Sequence, residues 1–514
     1  MLSAFLYLKT IHFGFVWDDE RIHLTANKNL MEEKLSLFWE KPYSGLYIPI
    51  SYSAWCTIKT VFYHDTKVSP CVFHAFNIVF HSVNCVLVFL LFDLLLKDHR
   101  LSFLGSLIFM IHPVQVESVA WISEFRGILS AFFSLLALFV LIPDKSPSAP
   151  ATLKGTFSWR YILATFLFCL ALLSKPSSLV LPLIVLSFNW AFNRAVFKIS
   201  LLRMLFWVIL IIPILIITTT LQAKGQAYIS YTLLEKLNLS ANSFLFYFKK
   251  LIFPYPLVAN YGLTPDAILH NAFSWVYAIF FIICAAGVFV GFRKKPRMVI
   301  GILFILIVLL PVSGFISFNF QRESNVADRY LYFGVIGLGL FIGELIKPLL
   351  NYKLSWVLLT VILMVLGIAN FNQQDSWRTE FALWDHNLKY YQNSPEAYYN
   401  RGVEFSLRKK FRESVNDYSR CLELDPRYKN ALFNRINSYE KLGLYKEGLN
   451  DCERYITIDS LDGSIYIRRA RLHLLTNNIS EAEKDIEKAD KLGFKGALNY
   501  KQYFRDKHLQ TGLK

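Results

Sequence analysis

The stretch CVFHAFNIVFHSVNCVLVFLLFDLLL, residues 71 to 96, contains no lysine or arginine. About 20 predominantly apolar residues let a helix cross a hydrocarbon core of about 30 Å, so this stretch is long enough to do so. It is not wholly apolar. His74, Asn77, His81 and Asn84 follow one another at steps of 3, 4 and 3, which puts all four on one helical face. Histidines seven residues apart are two turns, about 10 Å, apart by helical rise. No carboxylate or cysteine completes a metal site, so the stripe reads as hydrogen bonding between packed helices.

Similar runs lie near 101–112, 125–142, 159–174, 177–193, 203–220, 271–292, 297–313, 329–347 and 354–370. A shorter run of about 13 residues opens the chain. It lacks a basic start and a small-residue cleavage site, so it reads as a first transmembrane helix and not as a signal peptide. The expectation is about eleven spans in an all-α, polytopic membrane bundle over residues 1–370. Composition agrees: 54% of residues are hydrophobic, 18% are charged, and mean hydropathy is +0.37. A soluble enzyme of this length would be less apolar and more charged. The net charge of +16 does not point to nucleic acid, because the basic residues form no single patch.

Many of them sit in short loops instead: KDHR (97–100), NRAVFKISLLR (193–203), GFRKKPR (291–297) and KPLLNYK (347–353). The positive-inside rule assigns these loops to the cytoplasm. By alternation the first loop (17–70), the 112–124 turn, the turn at 175, the 221–254 stretch, the 314–328 loop and the C-terminal region share the other face. LYIPISYSAWCTIKTVF and TLLEKLNLSANSFLFYFKKLIFP are amphipathic, and the second is expected on the membrane surface. The seven cysteines are scattered with no CxxC spacing and read as buried fillers.

Near residue 371 the apolar runs stop and a 34-residue repeat follows, with units at 396–429, 430–463 and 464–497. In register, Tyr398, Leu432 and Tyr466 correspond, as do Arg401, Arg435 and Arg469, and Phe405, Tyr439 and His473. This is the tetratricopeptide pattern of paired helices, an α-solenoid that needs about three units to bury a continuous core. Residues 371–395 form the linker with its leading helix, and 498–514 a capping helix. Cys421 and Cys452 fall at packing positions within the repeat helices.

Four motifs could carry chemistry. Asp18-Asp19-Glu20 follows an apolar run directly, and ionised groups beside lipid need water, partners or a task. It reads either as a solvated loop or as a catalytic base for transfer to a hydroxyl. HPVQVESVAWISEFRG (112–127) brings His112, Glu117, Glu124 and Arg126 to the same face, as a polar turn or as part of a site. Lys175, Arg322 and Arg329 stand at outer span ends, where they could meet a lipid phosphate or simply snorkel. Asp328 is a neighbour with which Arg329 could pair. The fourth is the histidine–asparagine stripe. The repeats hold no catalytic cluster, and their concave surface suits an extended peptide.

FVWDDE (15–20), HPVQVESVAWIS (112–123), LLSKPSSLVLPL (172–183), YFKKLIFPYPLVANY (247–261), VADRYLYF (326–333) and DSWRTEFALWDHNL (375–388) occur in one order. In that order they resemble the transmembrane O-mannosyltransferase family with tetratricopeptide repeats (TMTC), in its bacterial form. The resemblance implies a GT-C glycosyltransferase fold. It also implies a sugar carried on a polyprenyl phosphate, transferred to Ser or Thr of proteins on the non-cytoplasmic side. No cofactor is expected, and no metal is demanded, because arginine and lysine can neutralise the leaving charge. Carried over, Asp18 or Asp19 takes the role of base and Glu117 that of second acid, while Lys175 and Arg329 meet the phosphate. The repeat groove would hold the acceptor protein. Relatives carry a basic residue and, two places on, an acid after WIS. Here EFRG puts Phe125 and Gly127 at those places; Arg126 could replace the cation, and no residue obviously replaces the acid. That departure favours a non-catalytic membrane-anchored scaffold, whereas the retained acids and cations favour the transferase. A glycolipid or cell-wall glycosyltransferase is a third reading. The match to bacterial relatives points to an inner membrane with a periplasmic repeat domain, ahead of the endoplasmic reticulum.

Overall fold

The computed structural model describes residues 2–63, 68–142, 158–192, 197–223, 231–291 and 295–497. The expected capping helix at 498–514 lies outside them. The described residues are helical with no extended sheet, and they form two compact units, Met1–Leu383 and Trp384–Lys514.

Among the described residues of the first unit five helices are long and apolar enough to cross a membrane: Pro70–Leu96, Ile122–Leu141, Phe197–Leu221, Ser274–Gly291 and Lys353–Trp377. Shorter apolar helices cover His99–Ile111, Trp159–Ser174, Pro176–Phe192 and Pro296–Val312. The chain is a multi-pass membrane protein. The opening run departs from expectation. It is a five-residue helix, Leu2–Leu6, followed by a 3-10 turn, Leu8–His12, and not one continuous span. Thr10 of that turn is buried and donates to the Tyr7 carbonyl at 2.8 Å.

Local signals set the helix ends. Ser69 caps Pro70–Leu96, with Pro70 in the first turn, where its missing N–H costs nothing. Lys97 then turns left-handed (φ 53°), and Asp98 caps His99–Ile111 by accepting from the N–H groups of Arg100 and Leu101. Helices Pro296–Leu309 and Val335–Ile346 meet through glycines. A Cβ on Gly301 would stand 2.6 Å from the Gly337 carbonyl, so only glycine permits this approach.

The histidine–asparagine stripe is wholly buried and bridges helices. Asn77 donates to the carbonyls of Val119 (3.2 Å) and Trp121 (3.0 Å). His81 contacts the Tyr332 hydroxyl at 3.0 Å, and Asn84 donates to Ile128 and Tyr332. The stripe thus holds the 112–124 turn in place. The first loop packs around helix Pro49–Phe62, where Phe38 stacks on Tyr52 at 4.8 Å and His23 on Trp55 at 5.9 Å. Helix Leu233–Ile252 opens with a Thr232/Glu235 capping box. It buries Asn238, Ser243 and Tyr247 and exposes Leu233, Leu234 and Leu237, the polarity of a helix whose outer face meets lipid.

The second unit contains three helical pairs: Pro395–Leu407 with Phe411–Leu424, Lys429–Leu442 with Tyr445–Ile458, and Gly463–Leu475 with Ile479–Lys491. Tyr418, Cys421, Leu432, Cys452 and Tyr466 belong to its core. The repeated arginines each grip an aspartate of the partner helix. Arg401 holds Asp417 at 2.8 and 2.9 Å, Arg435 holds Asp451 at 2.7 Å twice, and Arg469 holds Asp485 at 2.9 and 2.6 Å.

Candidate active site

Trp17 begins the site. It takes a left-handed conformation (φ 55°), which costs a residue with a side chain about 1–2 kcal/mol. Asp18 and Asp19 are successive residues at the start of a short helical turn, Asp19–His23, and they differ in burial. Asp19 is fully buried. One oxygen accepts from the Ser123 N–H (2.8 Å) and hydroxyl (2.5 Å), the other from the Val16 N–H (3.2 Å). Burial pushes its carboxyl up to about 7, against the pull of the Ser123 hydrogen bonds. Asp19 is therefore a strap between the first loop and the 122–124 turn. Asp18 is only half-buried and is the more accessible carboxylate of the two.

The 112–127 segment brings two buried acids to the same region. Glu117 accepts from the Arg329 guanidinium at 2.5 Å and from the Arg329 backbone N–H at 3.0 Å. Both its oxygens serve Arg329. Glu124 is gripped by Lys175 at 2.7 Å and by Arg126 at 3.1 Å. Asp328 does not pair with Arg329 as its position beside it suggested. Its carboxylate accepts from the Tyr261 hydroxyl at 2.8 and 3.0 Å. Burial first, then the charge of Glu117, pushes the Asp328 carboxyl up to about 8, while Lys250 opposes the shift.

The Arg329 guanidinium lies within a cage of rings: Phe320 at 4.1 Å, Tyr330 at 5.1 Å, and Trp17 and Trp121 each at 5.4 Å. Such faces attract a cation and exclude water. Asp18 directly follows one of these rings.

Lys175 and Arg329 line one cleft with about 560 Å³ of empty space, its open mouth included. Ser177, Ser178 and Tyr330 add polar groups, and Leu181, Ile184, Val308 and Val312 add apolar wall. Gly127 also lines it, and a Cβ there would stand 2.7 Å from a Glu124 carboxylate oxygen and 3.2 Å from the Lys175 Nζ. The position that departs from the relatives' pattern thus abuts the Lys175–Glu124 pair. With glycine there, Glu124 is the acid that meets Lys175. Arg126 reaches the same pair from outside, half-buried. Arg322 is exposed and is not among the cleft-lining residues. A smaller cavity, about 180 Å³, is lined by Glu117, Asp328, Gln373 and Trp377 among others.

Glu124, read from the sequence as part of a polar turn or of a site, sits at the centre of the cation cluster. The segment before the repeats is built into the site: Trp17 stacks on Trp121 at 4.7 Å, and Trp121 on Trp377 at 6.0 Å. Aromatic residues recur in both motifs, but nothing in their spacing tells that they stack. Chemically, the arrangement offers an anion-binding cleft with an apolar wall; Asp18 is not among the cleft-lining residues.

Known proteins resemble the chain in two ways. The tetratricopeptide repeat family matches residues 395–428. Protein O-mannosyl-transferase TMTC3 of Homo sapiens is 23% identical over 98% of this chain and 60% of its own length. Protein O-mannosyl-transferase F38B6.6 of Caenorhabditis elegans is 23% identical over 83% of this chain and 62% of its own. A DnaJ homolog subfamily C member 7 homolog of Dictyostelium discoideum is 31% identical over 19% of the chain and 19% of its own. The chain spans about three fifths of the length of the O-mannosyl-transferases it matches.

Proposed function

From a chain that is TMTC-like along nearly its whole length and carries tetratricopeptide repeats, we propose an integral membrane glycosyltransferase of the GT-C type. It moves a mannose-like sugar from a polyprenyl-phosphate carrier to Ser or Thr hydroxyls of proteins on the non-cytoplasmic side. The observation that carries this reading is the cleft. Lys175 and Arg329 line it; together with Arg126 they pair with two carboxylates, Glu117 and Glu124, and leave one positive charge over. That excess suits the single charge of a sugar phosphodiester, and the apolar wall suits its lipid.

The carrier phosphate binds against Lys175 and Arg329. Asp18 accepts the proton of the acceptor hydroxyl as its oxygen attacks the anomeric carbon. The bond from that carbon to the phosphate oxygen breaks, and the phosphate leaves as an anion. Lys175 and Arg329 stabilise the developing charge, so the step needs neither a general acid nor a metal. Asp19 and Glu117 act as supports, the one for the loop and the other for Arg329. The repeats would hold the acceptor, and a bacterial inner membrane with periplasmic repeats fits this reading ahead of the endoplasmic reticulum.

Gly127 favours a second reading, a membrane-anchored repeat scaffold without activity. Transfer of labelled sugar from polyprenyl-phosphate mannose to a Ser/Thr-containing protein separates the two. The transferase gives incorporation that Asp18→Asn removes. A scaffold gives none with either chain, and undiminished transfer by Asp18→Asn rejects the role of that residue.

A further inference from the structure

We propose that Glu380, in the segment before the repeats, is a positioning residue that fixes the acidic loop. The inference rests on Asp18 as the base. Trp17 immediately precedes Asp18 and holds a positive φ that a bulky residue adopts only when its surroundings impose it.

The imposing contacts come from segment 377–380. The Trp17 backbone N–H donates to one carboxylate oxygen of Glu380. Arg21, on the far side of the two aspartates, pairs with the other oxygen at 3.4 Å. The Gly14 N–H donates to the Arg378 carbonyl at 3.1 Å. Trp377 completes the indole ladder that clamps the Trp17 ring through Trp121. Trp17 is therefore held by its backbone and by its ring, and Glu380 spans the loop from residue 17 to residue 21. Asp18 lies inside that span and cannot swing while the contacts persist. Glu380 also begins the helix Glu380–Tyr390, through which the chain continues toward the repeats. The same carboxylate thus lies near the end of the membrane unit and meets its acidic loop at Trp17 and Arg21.

The test compares the full-length protein in lipid nanodiscs with Glu380→Ala and Glu380→Gln. Glutamine keeps an acceptor for the Trp17 N–H and loses the charge that meets Arg21. Amide hydrogen exchange in residues 14–24 should rise in Glu380→Ala, rise less in Glu380→Gln, and stay unchanged across 396–497. In the transfer assay, Glu380→Ala should lower kcat by about tenfold or more, the scale expected when a reacting group loses its orientation. The donor KM should stay near that of the parent chain, and Glu380→Gln should recover part of the kcat. Unchanged exchange in 14–24, an unchanged kcat in Glu380→Ala, or a loss seen only as a raised donor KM overturns the proposal. If the parent chain transfers no sugar, the reading of Asp18 falls, while the exchange data still decide whether Glu380 orders the loop.

Discussion

The repeat unit and the membrane unit both depend on cation–carboxylate pairs, and they deploy them differently. In the repeats the pairs recur: Arg401–Asp417, Arg435–Asp451 and Arg469–Asp485 each join residues 16 apart on the two helices of one unit. The two pairs whose cations line the cleft of the membrane unit share no spacing. Arg329 reaches back 212 residues to Glu117, and Lys175 reaches back 51 to Glu124. The first kind lies between helices and serves packing. The second kind sets its cations, Lys175 and Arg329, in the wall of a cleft, with ring faces around Arg329. A pair that repeats with the fold answers to the fold; a pair that occurs once and borders a cavity answers to what enters the cavity.

The largest expected effect sets Asp18 against a repeat carboxylate. Asp18→Asn should lower sugar transfer by about 10²- to 10⁴-fold, the usual worth of a general base. Asp417→Asn should leave the rate on a short acceptor peptide unchanged. A comparable loss in both, measured as kcat per folded molecule, would erase the distinction.

Next comes Glu124→Ala, which strands Lys175 and Arg126 with no carboxylate between them. Removing one partner of a buried pair costs about 3–5 kcal/mol. The loss should appear as a lower unfolding temperature in detergent. Asp451→Ala should also destabilise, since the Arg435 side chain is only 10% exposed, and Asp417→Ala less so, since Arg401 is 20% exposed. Transfer per folded molecule should fall only for Glu124→Ala.

Gly127→Asp should be milder. It places an acid where the family resemblance implies one, yet it presses on Glu124 and competes for Lys175. Donor KM should rise by about tenfold, the equivalent of about 1.4 kcal/mol. A fall in KM would mean that the missing acid belongs to the site.

The smallest effect concerns pH. The Asp19 carboxyl is held above the ordinary carboxylate range, so its stabilising, protonated form is present at low pH. Its contribution is lost as pH rises through about 7. Thermal unfolding followed from pH 5 to 8 should therefore show a declining component that Asp19→Asn removes. If Asp19→Asn leaves that slope intact, Asp19 is not its source.

Periodic features were legible in the sequence, and singular ones were not. The repeat register announced itself through Arg401, Arg435 and Arg469, although their partners Asp417, Asp451 and Asp485 recur with the same period and drew no notice. The stripe of His74, Asn77, His81 and Asn84 was readable because a helix fixes its phase. The choice between Asp18 and Asp19 was not, since the acidic triplet alone does not show that Asp19 turns inward to Ser123 while Asp18 stays half-buried. Asp328 was a plausible partner for Arg329 by proximity, but its side chain turns to Tyr261, and Glu117 meets Arg329 from another segment. The opening run read as a span because apolar content alone does not show that the chain breaks into a short helix and a 3-10 turn. Contacts such as Trp17 to Glu380 join residues 363 apart and leave no local trace.

The most direct test of the cleft as the lipid-phosphate site is equilibrium binding of polyprenyl-phosphate mannose to the full-length protein in nanodiscs. Lys175→Gln should weaken it by about tenfold or more, the equivalent of at least 1.4 kcal/mol, while Arg435→Gln in the repeats leaves it unchanged. Equal affinity in the parent chain and in Lys175→Gln would contradict the account.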